Sequence, residues 1–172
     1  MQVQIQALSS THNCKGFDCG TPPLNKWLVE MANQQQKKNI ARTFVLVDDS
    51  APETVLGFYT LTVSEVSRDE LPNPNKYPNR VPVVRLGRFA THTTLQGQSF
   101  GEYLLFNALE RVVEISLNAG IAAIVVDAKD TKAVDFYRRY DFLSSPDNPL
   151  QLFLLTKALQ AAVHQATPKS EP

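Results

Sequence analysis

The sequence predicts an α+β fold in which a mixed, mainly antiparallel central sheet of about six or seven strands is flanked by helices. In the first half, β-branched and aromatic runs are separated by turn residues, which is typical of hairpins. In the second half, apolar runs of strand length alternate with helical periodicity, which is typical of βα units. Between these halves, the segment 81–101 begins as a strand and ends as the opening of a long helix.

The first half predicts a strand, a helix and a hairpin. Alternating apolar residues over 3–8 indicate the strand, and Thr21 followed by two prolines is a typical helix start. Apolar residues then recur at helical spacing, which predicts a helix that ends at 34–39. The runs 41–48 and 55–63 then pair as a hairpin. A connection over 64–80 follows, because its three prolines (Pro72, Pro74 and Pro78) exclude a helix interior and a central strand.

The second half predicts βα units. A strand over 81–91 leads to a helix whose apolar face extends from Phe100 to Ile115, with Gly120 in the usual position after a helix. The apolar run 121–126 indicates a central strand that is buried on both faces. The remaining elements are a short helix near 131–140, a loop over 142–148, a strand over 150–155 and a terminal helix over 157–164. We expect a single domain over 1–165 and a flexible tail over 166–172.

Composition limits the class of protein. Of the 172 residues, 17 are basic and 17 acidic, so any binding to nucleic acid requires a local basic patch. No apolar run approaches the roughly 18 residues that a membrane span needs, and the N-terminus lacks a signal-peptide pattern. Cys14 and Cys19 are too few for a four-ligand zinc site, and no histidine cluster completes one. We therefore expect a cytoplasmic protein that binds no metal and has no membrane partner.

The strand, loop and helix of 81–101 form the candidate functional site. The first amides of a helix lack internal partners, and the helix dipole adds positive potential there. The loop 96–101 lies at this point, so we expect it to bind an anion such as the diphosphate of a cofactor. Ser99 and Glu102 also have the spacing of a capping box, in which the serine oxygen accepts from the glutamate amide.

Five motifs in this order resemble the GNAT acetyltransferase superfamily, and within it the acetyltransferase toxins of bacterial toxin–antitoxin pairs. They are Phe17-Asp-Cys19-Gly20-Thr-Pro-Pro-Leu24-Asn25-Lys-Trp27-Leu28, Gly57-Phe-Tyr59-Thr60-Leu61, Leu86-Gly87-Arg88-Phe89-Ala90, Val126-Asp127-Ala128-Lys129-Asp130 and Phe136-Tyr137-Arg138-Arg139-Tyr140-Asp141-Phe142. The resemblance extends over residues 17–159. It implies a GNAT-like sheet and an acetyl-CoA-dependent N-acetyltransferase.

The resemblance also implies the roles of particular residues. The strand backbone would contact the pantetheine arm of acetyl-CoA, and the loop amides would bind its pyrophosphate. The residues concerned are Phe89, Ala90 and Thr91 for the former and Gln96, Gly97, Gln98, Ser99, Phe100 and Gly101 for the latter. Tyr137 would protonate the departing CoA thiolate as general acid. From the residues alone, Tyr137 could instead only pack within an aromatic cluster.

The acceptor is predicted from a missing carboxylate. No Asp or Glu lies between Val81 and Gln98, where many acetyltransferases hold the base that deprotonates an amine. A lysine amine, with a pKa of about 10.4, needs such a base, whereas an α-amine, with a pKa of about 8, is already partly neutral. This agrees with the toxin resemblance, which implies acetylation of the α-amine of aminoacyl-tRNA and arrest of translation.

The same resemblance implies partners. Charged tRNA needs cations for its phosphates. The candidates are Lys37, Lys38, Arg85 and Arg88, each of which is also consistent with an ordinary solvated charge. A small ribbon-helix-helix antitoxin and a homodimer are expected as well.

Two residues depart from the superfamily pattern. In Gln/Arg-x-x-Gly-x-Gly/Ala, Ser99 occupies the first glycine position, and Asp141 replaces the glycine that follows the Tyr137 helix. A side chain at position 99 limits close approach of a ligand, so we expect weakened acetyl-CoA binding. Asp141 predicts modest strain rather than a broken turn. The alternatives are a catalytically weakened or inactive binding module, and an acetyltransferase that acts on another small-molecule or protein amine.

Overall fold

The computed structural model describes residues 1–166, with side chains described as far as 163. The elements of this part are β1 (Val3–Ala7), α1 (Pro22–Glu30), α2 (Ala32–Lys37), β2 (Arg42–Asp48), β3 (Gly57–Ser67), β4 (Arg80–Thr91), α3 (Phe100–Ser116), β5 (Ala123–Asp127), α4 (Thr131–Arg138), β6 (Leu143–Ser145), β7 (Asn148–Leu155) and α5 (Thr156–Ala166). Apart from Ala166, which ends α5, the expected tail lies outside the described residues.

The strands form a seven-stranded sheet in the order β1-β2-β3-β4-β5-β7-β6. The pairs β1/β2, β2/β3, β5/β7 and β6/β7 are antiparallel. The predicted α+β fold with a mainly antiparallel sheet is therefore confirmed. β5 has the expected character of a central strand, because four of its five residues are almost fully buried.

The chain forms two compact units. The first consists of 1–62 with 86–108, and the second of 63–85 with 109–166. The core of the first unit brings the α1 and α2 stripe against strand residues and the N-terminal turn: Leu8, Cys14, Phe17, Cys19, Leu28, Ala32, Val45, Val47, Val55, Phe58 and Ala90. The core of the second unit comprises Val66, Leu71, Val81, Val83, Ala123, Val125 and Phe153. Apolar burial of this kind stabilises each unit by about 25 cal/mol per Å².

Several predicted boundaries were wrong. The helix expected from the Thr21 start to 34–39 is divided at Met31, where φ is −116°, and neither proline nor glycine marks this break in the sequence. β3 continues to Ser67, so the proline-rich connection covers only 68–79 and contains two short 3-10 turns. The loop expected over 142–148 contains β6, which pairs with β7. The sequence did not predict this strand, because three residues are too few to show a periodic pattern. Gly120 does not adopt a left-handed φ, and α3 ends earlier, at Ser116.

Candidate functional site

The backbone of the loop between β4 and α3 is left-handed at two positions. Gly97 has a φ of +79° and Ser99 a φ of +67°, with Gln98 of negative φ between them. Alternation of this kind turns successive N–H groups toward one concave face, an arrangement that binds anions. Within residues 1–166, the amides of Gly97, Gln98 and Ser99 have no hydrogen-bond acceptor. Phe100 and Gly101 follow in the first turn of α3, where amides have no intrahelical acceptor.

Ser99 occupies a backbone conformation that favours glycine. A non-glycine residue in the left-handed region costs about 1–2 kcal/mol. The capping box predicted for Ser99 and Glu102 was wrong, because an N-cap serine needs an extended backbone. The Ser99 carbonyl does accept from the Tyr103 amide at 3.2 Å, but its hydroxyl has no hydrogen bond within the described part of the chain. The loop amides consequently remain available to a ligand.

The side chain of Gln96 binds backbone outside the loop. Its Nε2 donates to the carbonyl of Cys19 at 2.9 Å and to that of Thr91 at 3.2 Å. Its own amide donates to the Thr93 carbonyl at 3.5 Å, so this amide is partly engaged, unlike those that follow it. In contrast, Gln98 Nε2 makes a local bond to the Thr94 carbonyl at 3.0 Å. Sequence reasoning assigned Gln96 only to cofactor binding and missed this tethering role.

The end of β4 leads into the loop from a tightly packed position. Ala90 is buried, while Phe89 and Thr91 are half-buried. On β3, a Cβ added to Gly57 would lie 2.9 Å from Leu104 Cδ1 and 3.1 Å from the Ala90 carbonyl oxygen. Glycine at position 57 therefore permits the close approach of β3 to both β4 and the first turns of α3. This packing fixes the two ends of the loop.

Tyr137, on α4 in the second unit, is 6% exposed. Its ring lies 5.2 Å from Phe136 and 5.4 Å from Phe142, measured between centroids. Burial raises the pKa of Tyr137 above its ordinary value of 10.0. The phenol therefore remains protonated throughout the neutral range, as a proton donor must. Packing in the aromatic cluster, which the sequence offered as an alternative role, is present as well.

The end of α4 is held by a Schellman motif. Asp141 has a φ of +68°, its amide donates to Arg138 at 3.2 Å, and the Phe142 amide donates to the Tyr137 carbonyl at 3.4 Å. These are the two hydrogen bonds that define the motif, and the Tyr137–Phe142 ring contact is its usual apolar partner. The prediction of modest strain without a broken turn is confirmed.

The four candidate phosphate-binding cations lie in different environments. Arg85 forms an ion pair with Asp127 within the second unit. In the first unit, the guanidinium of Arg88 lies 4.7 Å from the centroid of the Trp27 ring and donates to the Gly87 carbonyl at 3.3 Å. Lys37 and Lys38, at the end of α2, are exposed. The two lysines are therefore more exposed to solvent than the two arginines, which contact other groups of the chain.

The described residues contain no group of three or more His, Cys, Asp or Glu side chains that could hold a metal ion. Over the same residues, no helix is both long enough and apolar enough to cross a membrane.

A loop with alternating signs of φ at the start of a helix, beside a mainly antiparallel sheet flanked by helices, offers the backbone donors that an anion such as a diphosphate needs. Residues 12–142 match the family model described as "Acetyltransferase (GNAT) family". This chain belongs to the GNAT acetyltransferase family, and the predicted class of enzyme, an N-acetyltransferase, is confirmed.

The similar proteins include acetyltransferase toxins. The chain is 33% identical to a "tRNA-acetylating toxin" of Mycobacterium tuberculosis, over 91% of this chain and 93% of the relative. It is 32% identical to AtaT complexed with acetyl-methionyl-tRNAfMet, with a TM-score of 0.87, over 94% of this chain and 99% of the other. It is 30% identical to a mutant AtaT toxin bound to the C-terminus of the antitoxin AtaR and acetyl-CoA, with a TM-score of 0.81, over 94% and 98% of the two chains.

Proposed function

We propose that this protein is a toxin that transfers the acetyl group of acetyl-CoA to the α-amine of aminoacyl-tRNA and so arrests translation. The observation that carries the proposal is the loop after β4, in which left-handed residues at 97 and 99 leave consecutive amides without acceptors. A pyrophosphate needs such donors. The similarity to a tRNA-acetylating toxin and to AtaT with acetyl-methionyl-tRNAfMet supports the choice of acceptor.

Acetyl-CoA supplies an activated acetyl thioester. We assign the binding of its pyrophosphate to the amides of Gly97, Gln98, Ser99, Phe100 and Gly101. The Gln96 amide contributes less, because it already donates to the Thr93 carbonyl. We assign its pantetheine arm to the β4 backbone at Phe89, Ala90 and Thr91. The bound acetyl-CoA in the AtaT–AtaR complex supports this donor.

We assign Tyr137 as the general acid. The neutral amine attacks the thioester carbonyl, a C–N bond forms, the C–S bond breaks and the electron pair leaves on sulfur. The Tyr137 hydroxyl gives its proton to that thiolate, the amine releases one proton to water, and the tyrosinate then recovers a proton from solvent. Burial raises the pKa of the phenol, so the phenol is protonated at neutral pH. The same shift makes it a weaker acid, so the transfer needs direct contact with the thiolate.

An α-amine acceptor agrees with the absence of a base on β4. No carboxylate occurs from Val81 to Gln98. An amine with a pKa of about 8 is partly neutral at pH 7–8 and needs no strong base, whereas a lysine side chain with a pKa of about 10.4 is almost fully charged. The aminoacyl α-amine is the acceptor that this chemistry serves best.

Exposed Lys37 and Lys38 are the proposed contacts to tRNA phosphates, with Arg85 and Arg88 secondary because their charges are already engaged. We further propose a small ribbon-helix-helix antitoxin as the neutralising partner, a homodimer as the active form and the cytoplasm as the location. The AtaT complex with the C-terminus of AtaR supports the antitoxin, and a charged-tRNA substrate supports the location.

The proposal is tested by transfer of labelled acetyl from acetyl-CoA to charged tRNA. We expect label on charged tRNA that is released as the N-acetylated amino acid after deacylation. Matched controls are the same tRNA without its amino acid and the free amino acid. Equal labelling of a lysine peptide would favour another acceptor. Saturable acetyl-CoA binding without transfer to any amine would instead identify a binding module, which is the alternative that Ser99 supports.

A further inference from the structure

The N-terminal turn over residues 17–21, here called the Asp18 turn, is locked onto the first turn of α1. Asp18 Oδ1 accepts from the Gly20 amide at 2.8 Å and from Asn25 Nδ2 at 3.0 Å. The Asn25 side chain also accepts from the Cys19 amide through Oδ1 at 2.9 Å. Asn25 therefore uses both ends of its amide group to fix the turn, and it lies within α1, which provides a rigid base.

The Asp18 turn in turn holds the loop after β4. The carbonyl of Asp18 accepts from the Thr93 amide at 2.9 Å, and the next carbonyl, that of Cys19, accepts from Gln96 Nε2 at 2.9 Å. The Phe17 ring also packs edge-on against His92, with 6.0 Å between centroids. Two consecutive carbonyls of the turn thus hold two points at the start of the loop.

Few other contacts hold this loop. Leu95 is buried, but the following residues 96–99 are all exposed. Apolar packing therefore ends at Leu95, and the hydrogen bonds of Gln96 are the next restraint along the chain. A segment with exposed backbone and few buried contacts opens readily, so its shape depends on such restraints.

We propose that Asp18, Asn25 and Gln96 are positioning residues that hold the loop 96–101 in the shape that binds acetyl-CoA. This inference rests on the proposed function for the identity of the ligand. It gives the Gln96 side chain a role apart from ligand contact, and it links the N-terminal motif to the cofactor loop. Losing one such bond should weaken binding about three- to tenfold, because the loop would bind only from the fraction of its ensemble that has the correct shape.

Two substitutions, each with a matched control variant, test the proposal. Gln96→Met keeps the length and neutrality of the side chain but removes the donor, and Gln98→Met makes the same change where the bond is local. Asp18→Ala removes the acceptor, and Asp18→Asn keeps a side-chain oxygen in its place. Each is examined by acetyl-CoA titration calorimetry, by the kcat and KM of transfer, and by amide hydrogen exchange without ligand.

We expect Gln96→Met and Asp18→Ala to raise the Kd and KM for acetyl-CoA three- to tenfold, with kcat at saturating acetyl-CoA within about twofold of the wild type. Exchange at the hydrogen-bonded amides of Thr93, Leu95 and Gln96 at the start of the loop should become faster. Gln98→Met should have a smaller effect than Gln96→Met, and Asp18→Asn should recover most of the affinity. A merely structural role would lower thermal stability without this split between KM and kcat.

Unchanged Kd and unchanged exchange in both Gln96→Met and Asp18→Ala would overturn the inference. Failure of the wild type to bind acetyl-CoA would instead overturn the proposed function, and the ligand named here with it. The exchange data of the ligand-free protein distinguish these two results, because they report the restraint of the loop without any cofactor.

Discussion

The Phe142 amide donates to the Tyr137 carbonyl at 3.4 Å, and the rings of the same two residues lie 5.4 Å apart. One residue thus closes the end of α4 and also packs against the proposed general acid. The hydrogen bond restrains the backbone of Tyr137, and the ring contact restrains its side chain. The position of the phenol therefore depends on the turn that follows the helix.

Replacing Tyr137 with Phe should separate chemistry from packing. The ring contacts remain and only the hydroxyl is lost, so we expect kcat to fall by about 10²–10⁴-fold, the usual contribution of a general acid. The Kd for acetyl-CoA should change less than about threefold. Rapid-quench measurement of labelled acetyl transfer checks this prediction. Tyr140→Phe, in the same aromatic cluster, is the matched control and should retain nearly full activity; equal rates for both variants would assign Tyr137 to packing alone.

Burial of Tyr137 should also make folding sensitive to alkaline pH. Its pKa is raised in the folded state, so the associated stability is fully present below the unfolded pKa of 10.0 and is lost as the pH rises through the folded pKa. Above pH 10, this residue should lower the free energy of unfolding by about 1.4 kcal/mol per pH unit. Urea unfolding between pH 8 and about 11 measures the slope. Tyr137→Phe should reduce it, while a variant of exposed Tyr103, Tyr103→Phe, should retain the wild-type slope.

Ser99→Gly should improve both stability and ligand binding. Relief of about 1–2 kcal/mol of left-handed strain exceeds the roughly 0.4–1 kcal/mol that glycine adds in unfolded-chain entropy, so we expect a net gain of about 0.5–1 kcal/mol. Loss of Cβ also opens the approach to the loop amides, and the Kd for acetyl-CoA should fall several-fold.

Titration calorimetry and denaturant unfolding of Ser99→Gly test the two effects separately. Asn39→Gly is the matched control, because Asn39 has a φ of +57° at the end of α2, outside the loop. It should leave acetyl-CoA affinity unchanged. An equal affinity for Ser99→Gly and the wild type would contradict the prediction that the serine weakens binding.

Asp141 should tolerate glycine but not a β-branched residue. Asp141→Gly keeps the Schellman bonds and relieves the left-handed strain, so stability should stay within about 1 kcal/mol of the wild type or rise. In Asp141→Val, the branched side chain clashes at positive φ, and we expect a loss of about 2 kcal/mol. Denaturant unfolding provides the measurement. Asp135→Val, at an exposed helical position of α4, should cost less than about 1 kcal/mol; an equal cost at both positions would show that backbone conformation is not the cause.

Five motifs in order indicated the family by resemblance. The sequence by itself also predicted the mainly antiparallel α+β sheet and the position of the candidate loop. These two features follow from local patterns: Thr21-Pro22-Pro23 at a helix start, the apolar run of β5, and a strand, loop and helix over 81–101. Local backbone preference also explains why Asp141 keeps its turn, because aspartate tolerates left-handed φ better than most residues. The single domain over 1–165 and the flexible tail over 166–172 stay predictions.

Only the tertiary structure decided how the loop is held. The sequence of residues 99–102 is compatible both with a capping box and with a left-handed backbone at Ser99. The positive φ of Ser99 in the structure excludes the capping box. The break at Met31 and the three-residue strand β6 depend on contacts that no periodic pattern records. Most of all, the Gln96 side chain meets the Cys19 carbonyl across 77 residues of sequence, a pairing that spacing cannot show because folding alone brings these two points together.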